Sequence, residues 1–520
     1  MNNGHKNKRK EPSPRTESEK HDYNPALHKK TMNDSSKPTI EIDGSYKEGG
    51  GQILRNGITY AVLLQKKSVT ITNIRANRPK SPGVRPQHLA GMRLAVEIGN
   101  ASCSRGNDSG GGELVGAEVG AKTVSFVYEG TYGTTADKGD CRDNDTEHTK
   151  TFVADTGTAG SIALLLQAAF LPAMVKAMRQ PHRKPPTTTP TVTIELRGGT
   201  NATGAPQIDY ITDVFAPFIN SYFQQYDNNK LPAEEPPLDI QIIKRGYFPK
   251  GGGIVHVNLR PPSSLISSSI ISKPVTTFPP IQLTKCQPIA SISIKAFHAG
   301  KSPAWIAEKM ASGAMKELKK AWRDNPSFRK RFLNAGEVIM EENNDMPMSP
   351  IINDAAIHIT HETNCIGSGS GIFIVAHPNN DDCQTLPCPA LASSGLGDRK
   401  SPPLQTGSNA AKELIECIAS GGCVDRWLQD QLIPFMALAD GNQQSEVVCG
   451  ELTLHSQTAM SVAEQMTGCK FEVERVLDRD GGGGGDAGDR KQEQDDAYGE
   501  TGRIVGGHII RCRGVGFAYA

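Results

Sequence analysis

A recurring unit of strand, glycine turn and helix constrains the fold of this chain more than any other feature of its sequence. The segment TIEIDGSYKEGGGQILRNGITYAVLL, from residue 39, has the pattern of a strand, a glycine-rich turn and an amphipathic helix. A comparable pattern returns in TVTIELRGGTN, before a helix from Asp209, and in IQIIKRGYFPKGGGIVHVNL, which has its own glycine turn. Repeated units of strands backed by helices predict an α/β (α+β) protein.

Changes in composition divide the chain into segments. Residues 1–37 are polar and basic with few apolar anchors, so we predict a disordered tail. Its run KNKRK fits a nuclear-import signal and predicts a nuclear protein, with the cytoplasm as the alternative, because such runs are often only solvated. Residues 280–407 contain the amphipathic helix SPAWIAEKMASGAMKELKKAW and the strand GSGIFIVAH, and we assign them to a smaller inserted domain. The large domain then comprises residues 38–279 and 408–520. Gly-, Ser-, Pro- and Asp-rich stretches, among them residues 379–408, are predicted to be surface insertions.

Composition excludes some classes of function. The formal net charge of +1 argues against a strongly basic face, so any nucleic-acid site has to be a local patch. Eleven cysteines without a CxxC pair favour reduced intracellular thiols over a disulfide framework. The longest apolar run, from Ser161, is interrupted by Gln167, Pro172 and Lys176. We therefore predict a core helix there and no membrane association.

His455 lies where a strand-like pattern gives way to a helical one, in GELTLHSQTAMSVAEQM. We expect Ser456 or Thr458 to cap the helix and Gly468 to end it, with His455 just outside the N-terminus. Backbone N–H groups at such an end attract phosphate and disfavour imidazolium, which leaves a neutral ring able to attack phosphorus. For this histidine alone, a partly buried ring without a chemical role is the simpler interpretation.

Two segments carry groups suited to phosphates. In EGGGQILR, three glycines open a helix and permit close approach of a phosphate, while Glu48 could hold a divalent metal. In NIRANRPKSPGVRPQHLAG, Arg75, Arg78 and Arg85 surround two prolines. Guanidinium groups bind phosphate oxygens bidentately, and a solvated basic loop is the equally good alternative.

The segment DRWLQDQLIPFMALADG could hold a nucleotide base. On a helix Trp427, Asp430 and Gln431 share one face. A flat ring, a carboxylate and an amide on one face could stack on a base, read its edge and bind a metal. Trp427 as an ordinary core residue is the competing interpretation.

Together these segments closely resemble the RNA 3′-terminal phosphate cyclases. The motifs that carry the resemblance, in order, are EGGGQILR, IRANRPKSPGVRPQHL, TAGSIALLLQ, GGTNATGAPQIDYI, RGYFPKGGG, DRWLQDQLIPFMALA and LTLHSQTA. The resemblance spans residues 39–516 and implies a large domain of three repeated units, each a four-stranded sheet with two helices, plus a smaller inserted α/β domain.

The resemblance also implies a reaction and its residues. Members convert an RNA 3′-phosphate to a 2′,3′-cyclic phosphate with ATP, through a histidinyl-AMP and an RNA-(3′)pp(5′)A intermediate. His455 matches the nucleophile, and Glu48 matches the ligand of Mg²⁺ or Mn²⁺. The remaining matches surround the phosphates (Arg55, Arg75, Arg78, Gln87 and His88) or the nucleotide (Gln167, Trp427, Asp430 and Gln431).

Some positions depart from the family pattern, and two rival functions have to be weighed. Ala459 replaces an asparagine of some relatives, Trp427 replaces a tyrosine, and an adenine-stacking aromatic of the inserted domain has no clear counterpart. A lysine-nucleophile ligase would need a KxDG motif, which the chain lacks. A cyclase-like branch that serves ribosome assembly lacks the nucleophilic histidine. His455 in an intact motif favours catalysis.

Overall fold

Four mixed β-sheets form the scaffold of the described part of the chain. The computed structural model describes residues 39–65, 68–102, 111–130, 151–179, 192–224, 236–262, 277–332, 357–381, 386–476 and 507–518. The predicted tail 1–37, with its basic run, and most of the predicted insertions lie outside these ranges. Contacts join the chain from Thr39 onward into one unit, and the predicted domain boundaries at 280 and 407 stay predictions.

The strands and helices follow one another in a mixed order. The strands are β1 Thr39–Asp43, β2 Ser68–Thr72, β3 Gly111–Val115, β4 Val124–Gly130, β5 Thr151–Asp155, β6 Val192–Gly198, β7 Leu238–Gly246, β8 Gly253–Leu259, β9 Gln282–Leu283, β10 Ile289–Ala299, β11 Ile357–Glu362, β12 Cys365–Ile366, β13 Gly369–Pro378, β14 Leu391–Leu396, β15 Gln444–Cys449, β16 Phe471–Arg475 and β17 His508–Arg513. The helices are α1 Gly51–Leu64, α2 Pro86–Ser102, α3 Ile162–Met178, α4 Ile208–Tyr210, continued by a π-helical segment Ile211–Phe215, α5 Ala216–Gln224, α6 Ala304–Asp324, α7 Pro326–Arg329, α8 Pro403–Ala419, α9 Arg426–Leu438 and α10 Leu454–Thr467.

Three of the sheets repeat one topology. Their strand orders are β1-β2-β4-β3, β5-β6-β8-β7 with β12 added beside β7, and β9-β15-β17-β16. In each unit the first two strands are parallel and the other two neighbouring pairs are antiparallel. A parallel pair needs a crossover connection, and α1, α3 and α9 lie in these crossovers. The three repeated units expected from the sequence are thus confirmed.

The fourth sheet, β11-β10-β13-β14, is formed by chain that leaves the third unit after β9 and returns to it before α9. Helices α6 and α8 cover it, and its core is a separate cluster that includes Met310, Leu318, Trp322 and Leu414. The predicted amphipathic helix is confirmed by these buried residues. The prediction that residues 379–408 are all surface insertion was wrong, because β14 and the start of α8 lie there and pack on this core.

The three repeated units share one continuous core. Helix α3, the long apolar run of the sequence, is buried along most of its length and is capped by Ser161, whose hydroxyl accepts a hydrogen bond from Leu164 N–H at 3.3 Å. It meets α9 through Phe170 and Phe435, whose ring centroids are 6.1 Å apart. No helix in the described ranges has the length and apolar character required to cross a membrane.

Candidate active site

His455 is the second residue of α10, one turn closer to the helix interior than the sequence indicated. The strand before it ends at Cys449, and Thr453 caps the helix by accepting a hydrogen bond from Ser456 N–H at 3.0 Å. The predicted caps Ser456 and Thr458 are wrong, because both lie inside the helix, whereas the predicted end at Gly468 is confirmed by its left-handed backbone (φ 83°). The imidazole is still held in the first turn, among backbone N–H groups with no partner inside the helix.

Gln429 of α9 holds this first turn in place. Its Oε1 atom accepts hydrogen bonds from Thr453 N–H at 3.0 Å and from the Ser456 hydroxyl at 2.5 Å. Its Nε2 atom donates to the Glu451 carbonyl at 3.3 Å. The side chain is buried, so three bonds join α9 to the turn that carries His455, and the one with the Ser456 hydroxyl is fully buried. Gln429 was not predicted as a site residue, because a lone glutamine on an apolar helix carries no motif of its own.

The glycine turn before α1 lets charged groups approach the backbone closely. A Cβ atom at Gly50 would lie 2.0 Å from Glu48 Oε2, and one at Gly51 would lie 2.4 Å from His88 Nε2 and 3.0 Å from Arg55 Nη1. Any side chain at these positions would therefore displace the carboxylate, the imidazole or the guanidinium. The glycines are required because Glu48, Arg55 and His88 converge on this turn.

Glu48 has one paired and one unpaired oxygen. Its Oε1 atom accepts from Arg78 Nη2 at 2.5 Å, while its Oε2 atom is buried without a hydrogen-bond partner. An unpaired buried carboxylate oxygen is costly unless a cation reaches it. The described residues contain no group of three or more His, Cys, Asp or Glu side chains arranged to hold a metal ion. A Mg²⁺ or Mn²⁺ ion bound by Glu48 would therefore need substrate phosphate oxygens to complete its shell, which is how Mg²⁺ often binds.

A buried polar chain connects α1 with α9. Gln52 Nε2 donates to Asp430 Oδ2 at 2.9 Å, and Arg55 donates to the carbonyl oxygen of the same glutamine side chain. Burial raises the pKa of Asp430 to about 7, although the positive charge of Arg55 acts in the opposite direction. The Nε atom of Arg55 is buried and has no hydrogen-bond partner. This guanidinium thus retains a donor for an anionic ligand.

The arginine-rich segment from Asn73 to His88 lies beside the glycine turn, where Arg78 contacts Glu48. Arg75 has a left-handed backbone (φ 53°) and donates to the carbonyl and hydroxyl oxygens of Ser81 at 3.2 and 2.9 Å. Arg78 and Arg85 are exposed. His88 is buried, and its Nδ1 atom accepts from the Arg85 backbone N–H at 3.2 Å, so its proton is on Nε2, the atom next to Gly51. Burial and the arginine charges lower the pKa of His88 to about 3, and the ring is a neutral donor.

The charges of this cluster act on His455. Burial lowers the pKa of its imidazole, the carboxylate of Glu48 raises it, and Arg55, Arg426 and Arg78 lower it further. The net direction is downward, so the ring is neutral at physiological pH. A neutral imidazole has the lone pair that nucleophilic attack requires.

The remaining predicted site residues, on α2, α3 and α9, contact other parts of the protein or are half-buried. Trp427 is half-buried, with the Arg426 guanidinium carbon 5.2 Å from its ring centroid, and Gln431 donates to the Trp427 carbonyl at 2.7 Å while its Oε1 atom is buried and unpaired. Gln87 accepts from Ser161 N–H at 3.1 Å and thereby braces the start of α3. Gln167 is half-buried on α3, and its side chain forms no hydrogen bond within the described residues.

Comparisons with known proteins identify the family of this chain. A family model described as RNA 3′-terminal phosphate cyclase matches residues 46–473. An RNA 3′-terminal phosphate cyclase of Pyrococcus furiosus is 32% identical over 435 residues, 84% of this chain and 95% of the relative. One of Thermococcus gammatolerans is 33% identical over 444 residues (85% and 96%), and one of Drosophila melanogaster is 31% identical over 436 residues (84% and 92%). The chain is an enzyme, and it belongs to the RNA 3′-terminal phosphate cyclase family.

Proposed function

We propose that this protein converts the 3′-terminal phosphate of RNA to a 2′,3′-cyclic phosphodiester at the expense of ATP. The observation that carries the proposal is a neutral imidazole, His455, in the first turn of α10 beside the charges of Glu48, Arg55 and Arg78. The reaction needs a nucleophile that is uncharged at neutral pH and cations that stabilise a polyphosphate. The family membership supplies the substrate class.

The proposed reaction has three displacements. The imidazole of His455 attacks the α-phosphorus of ATP, an N–P bond forms, and pyrophosphate leaves. An oxygen of the RNA 3′-phosphate then displaces the imidazole to give RNA-(3′)pp(5′)A. The ribose 2′-hydroxyl finally attacks the 3′-phosphorus and AMP leaves. The last step profits from proximity, because nucleophile and electrophile are on one ribose.

Each group around His455 has a role in this proposal. Arg55, with its unpaired Nε–H, and the loop arginines neutralise phosphate charge, and His88 donates from Nε2. Glu48 offers its unpaired oxygen to Mg²⁺ or Mn²⁺, which would supply Lewis-acid stabilisation of the phosphates. Trp427 and Gln431 hold the nucleotide. Nuclear localisation is also proposed, from the basic run near the N-terminus alone.

The test follows the AMP group. The protein is incubated with α-labelled ATP, and the adduct is treated with acid and alkali, because a phosphoramidate to histidine is acid-labile and alkali-stable. We expect His455→Asn to abolish the adduct and cyclisation from ATP, but still to close RNA supplied as RNA-(3′)pp(5′)A. His256→Asn on β8 is the matched control, and both variants should unfold at the wild-type temperature. Labelled protein from His455→Asn would contradict the assignment.

A further inference from the structure

The turn from Asp43 to Gly49, called the corner below, presents an aromatic ring to solvent near the proposed nucleophile. The side chain of Tyr46 is 47% exposed. Lys47 lies over it, with Nζ 5.7 Å from the ring centroid, and the same ammonium donates to Gln457 Oε1 at 3.3 Å. Because Gln457 is two residues beyond His455 on α10, this bond holds Tyr46 and Lys47 against the turn that carries the imidazole.

A second apolar side chain lies on the same face of α10 as Gln457, the residue that Lys47 contacts. Leu454, the first residue of α10, is 57% exposed. A large exposed aliphatic residue directly before a reactive histidine has no packing role within the described residues that would account for it. Tyr46, through Lys47 and Gln457, and Leu454 therefore place two exposed apolar surfaces beside the same face at the start of α10.

The corner is also fixed before any ligand arrives. Tyr46 N–H donates to the Asp43 carbonyl at 3.2 Å, and Gly49 N–H donates to the Tyr46 carbonyl at 2.9 Å. Lys47 and Gly49 have left-handed backbones (φ 48° and 55°), which close the turn. A preformed surface loses less conformational entropy on binding than a mobile one.

We infer that Tyr46, Lys47 and Leu454 form the subsite for the base of the RNA 3′-terminal nucleotide. The inference rests on the proposed function, because the RNA 3′-phosphate then has to reach the phosphorus carried by His455. The base of that nucleotide consequently lies within one nucleotide's length of the imidazole. Tyr46 and Lys47 are neighbours of that ring, because Lys47 bonds to α10 and the carboxylate of the adjacent Glu48 acts on His455. Tyr46 stacks on the base, Leu454 contacts its edge, and Lys47 adds positive charge for the backbone.

The chemistry of the surface favours an unpaired RNA end over a protein partner. An aromatic ring next to basic groups that follow the backbone is the arrangement by which proteins bind single strands. The neighbouring cations Arg78 and Arg85 are exposed, and they continue the positive surface from Lys47. Since every base has a π-face, a stack on Tyr46 predicts tolerance of all four terminal bases.

The test uses binding, which does not depend on catalysis. Affinity is measured for a 3′-phosphorylated oligoribonucleotide with an intact or an abasic terminal nucleotide, using wild-type protein, Tyr46→Ala, Tyr46→Phe and the control Trp305→Ala, whose ring is 53% exposed on α6. Base–aromatic stacking predicts that Tyr46→Ala binds the intact end between about 5-fold and about 150-fold more weakly. Tyr46→Phe and Trp305→Ala should bind like wild type.

The coupling between ring and base decides the outcome. The wild-type protein should bind the abasic end more weakly than the intact end, by a factor similar to the effect of Tyr46→Ala. The Tyr46→Ala variant should bind the two ends with nearly equal affinity, because it has already lost the stack. Equal losses in both proteins, or unchanged affinity in Tyr46→Ala, would overturn the inference and leave the ring as a protein contact or a merely exposed side chain. Failure of the proposed function is seen separately, as the absence of an AMP adduct in wild type.

Discussion

Replacement of Gln429 by methionine should slow adenylylation although the side chain is expected to touch neither substrate. The substitution keeps the length of the side chain and removes its bonds to Thr453 N–H, the Ser456 hydroxyl and the Glu451 carbonyl. Ser456 retains a partner, because its hydroxyl also pairs with Thr453 Oγ1 at 2.9 Å. The N–H of Thr453 loses its acceptor, and together with the lost bonds this costs about 2–3 kcal/mol of stability.

The effect on the reaction follows from the position of the nucleophile. The bonds of Gln429 fix the turn that contains His455, and a displacement of about 1 Å in a reacting group can cost about 100-fold in rate. The wild-type pKa of His455 is lowered mainly by burial. A loosened turn admits water and raises this pKa, so the pH at which the neutral ring appears moves upward. A purely structural loss would leave that midpoint unchanged.

The assay measures initial rates of protein labelling with α-labelled ATP across pH, together with thermal unfolding. We expect Gln429→Met to lose up to about 100-fold in maximal rate with a smaller change in the ATP concentration needed for half-saturation. Gln429→Glu keeps both acceptor functions and should retain more of the rate, while its charge also raises the pKa of His455. Gln465→Met, near the far end of α10, is the matched control. A wild-type rate and midpoint in Gln429→Met would refute the reasoning.

Three further predictions concern charges. Glu48→Gln should slow adenylylation, weaken its dependence on divalent metal, and shift its acid limb to lower pH, because Glu48 raises the pKa of His455; an unchanged metal dependence would remove the metal role. Asp430→Asn should slow the first step yet stabilise the fold above pH 7. The pKa of Asp430 is about 7 in the folded protein and 3.8 in the unfolded chain, so wild type loses up to about 4 kcal/mol of stability as the pH rises from about 4 to 7. An asparagine does not titrate, so the variant keeps its stability over this range. Equal unfolding curves of the two proteins at pH 8 would contradict this prediction. Arg78→Gln and Arg85→Gln should each reduce the salt dependence of RNA binding by about 0.7 in the log–log slope, and affinity that is independent of salt in wild type would exclude this loop.

Periodicity and glycine turns were sufficient to predict the repeated units, because each unit is a local pattern of strand and helix. They did not predict that β9 would pair with β15. The chain between these two strands contains the whole fourth sheet, so the contact joins residues that are far apart in sequence. The segment at residues 379–408 was misassigned because its Gly, Ser and Pro content resembles a loop. In the fold, Leu391 and Ala392 of β14 are instead buried against β13.

The site residues likewise divide into those in local sequence motifs and those that depend on non-local contacts. Glu48, Arg55 and His455 belong to short motifs with unusual composition, and the sequence alone drew attention to them. Gln429 and Thr453 have ordinary local surroundings, and their importance arises only when α9 and the start of α10 meet. The cap at Thr453 was missed because Ser456 and Thr458 are equally good cap residues in isolation, and the bond from Thr453 N–H to Gln429 selects among them.

The repeat explains why this site can be built at all. The helices that carry its groups, α1 with Arg55 and α9 with Asp430, are the crossover helices of the first and third units, and each follows the first strand of a parallel pair. Helix α10, with the proposed nucleophile His455, occupies in the third unit the place that α2, with His88, occupies in the first. Equivalent helices of two units thus supply a buried polar contact, Gln52 with Asp430, and two imidazoles whose pKa values are both lowered. His88 is a neutral donor, and His455 is the proposed nucleophile. A single unit would leave the buried oxygen of Glu48 exposed to water, and the effect of this carboxylate on His455 would be screened.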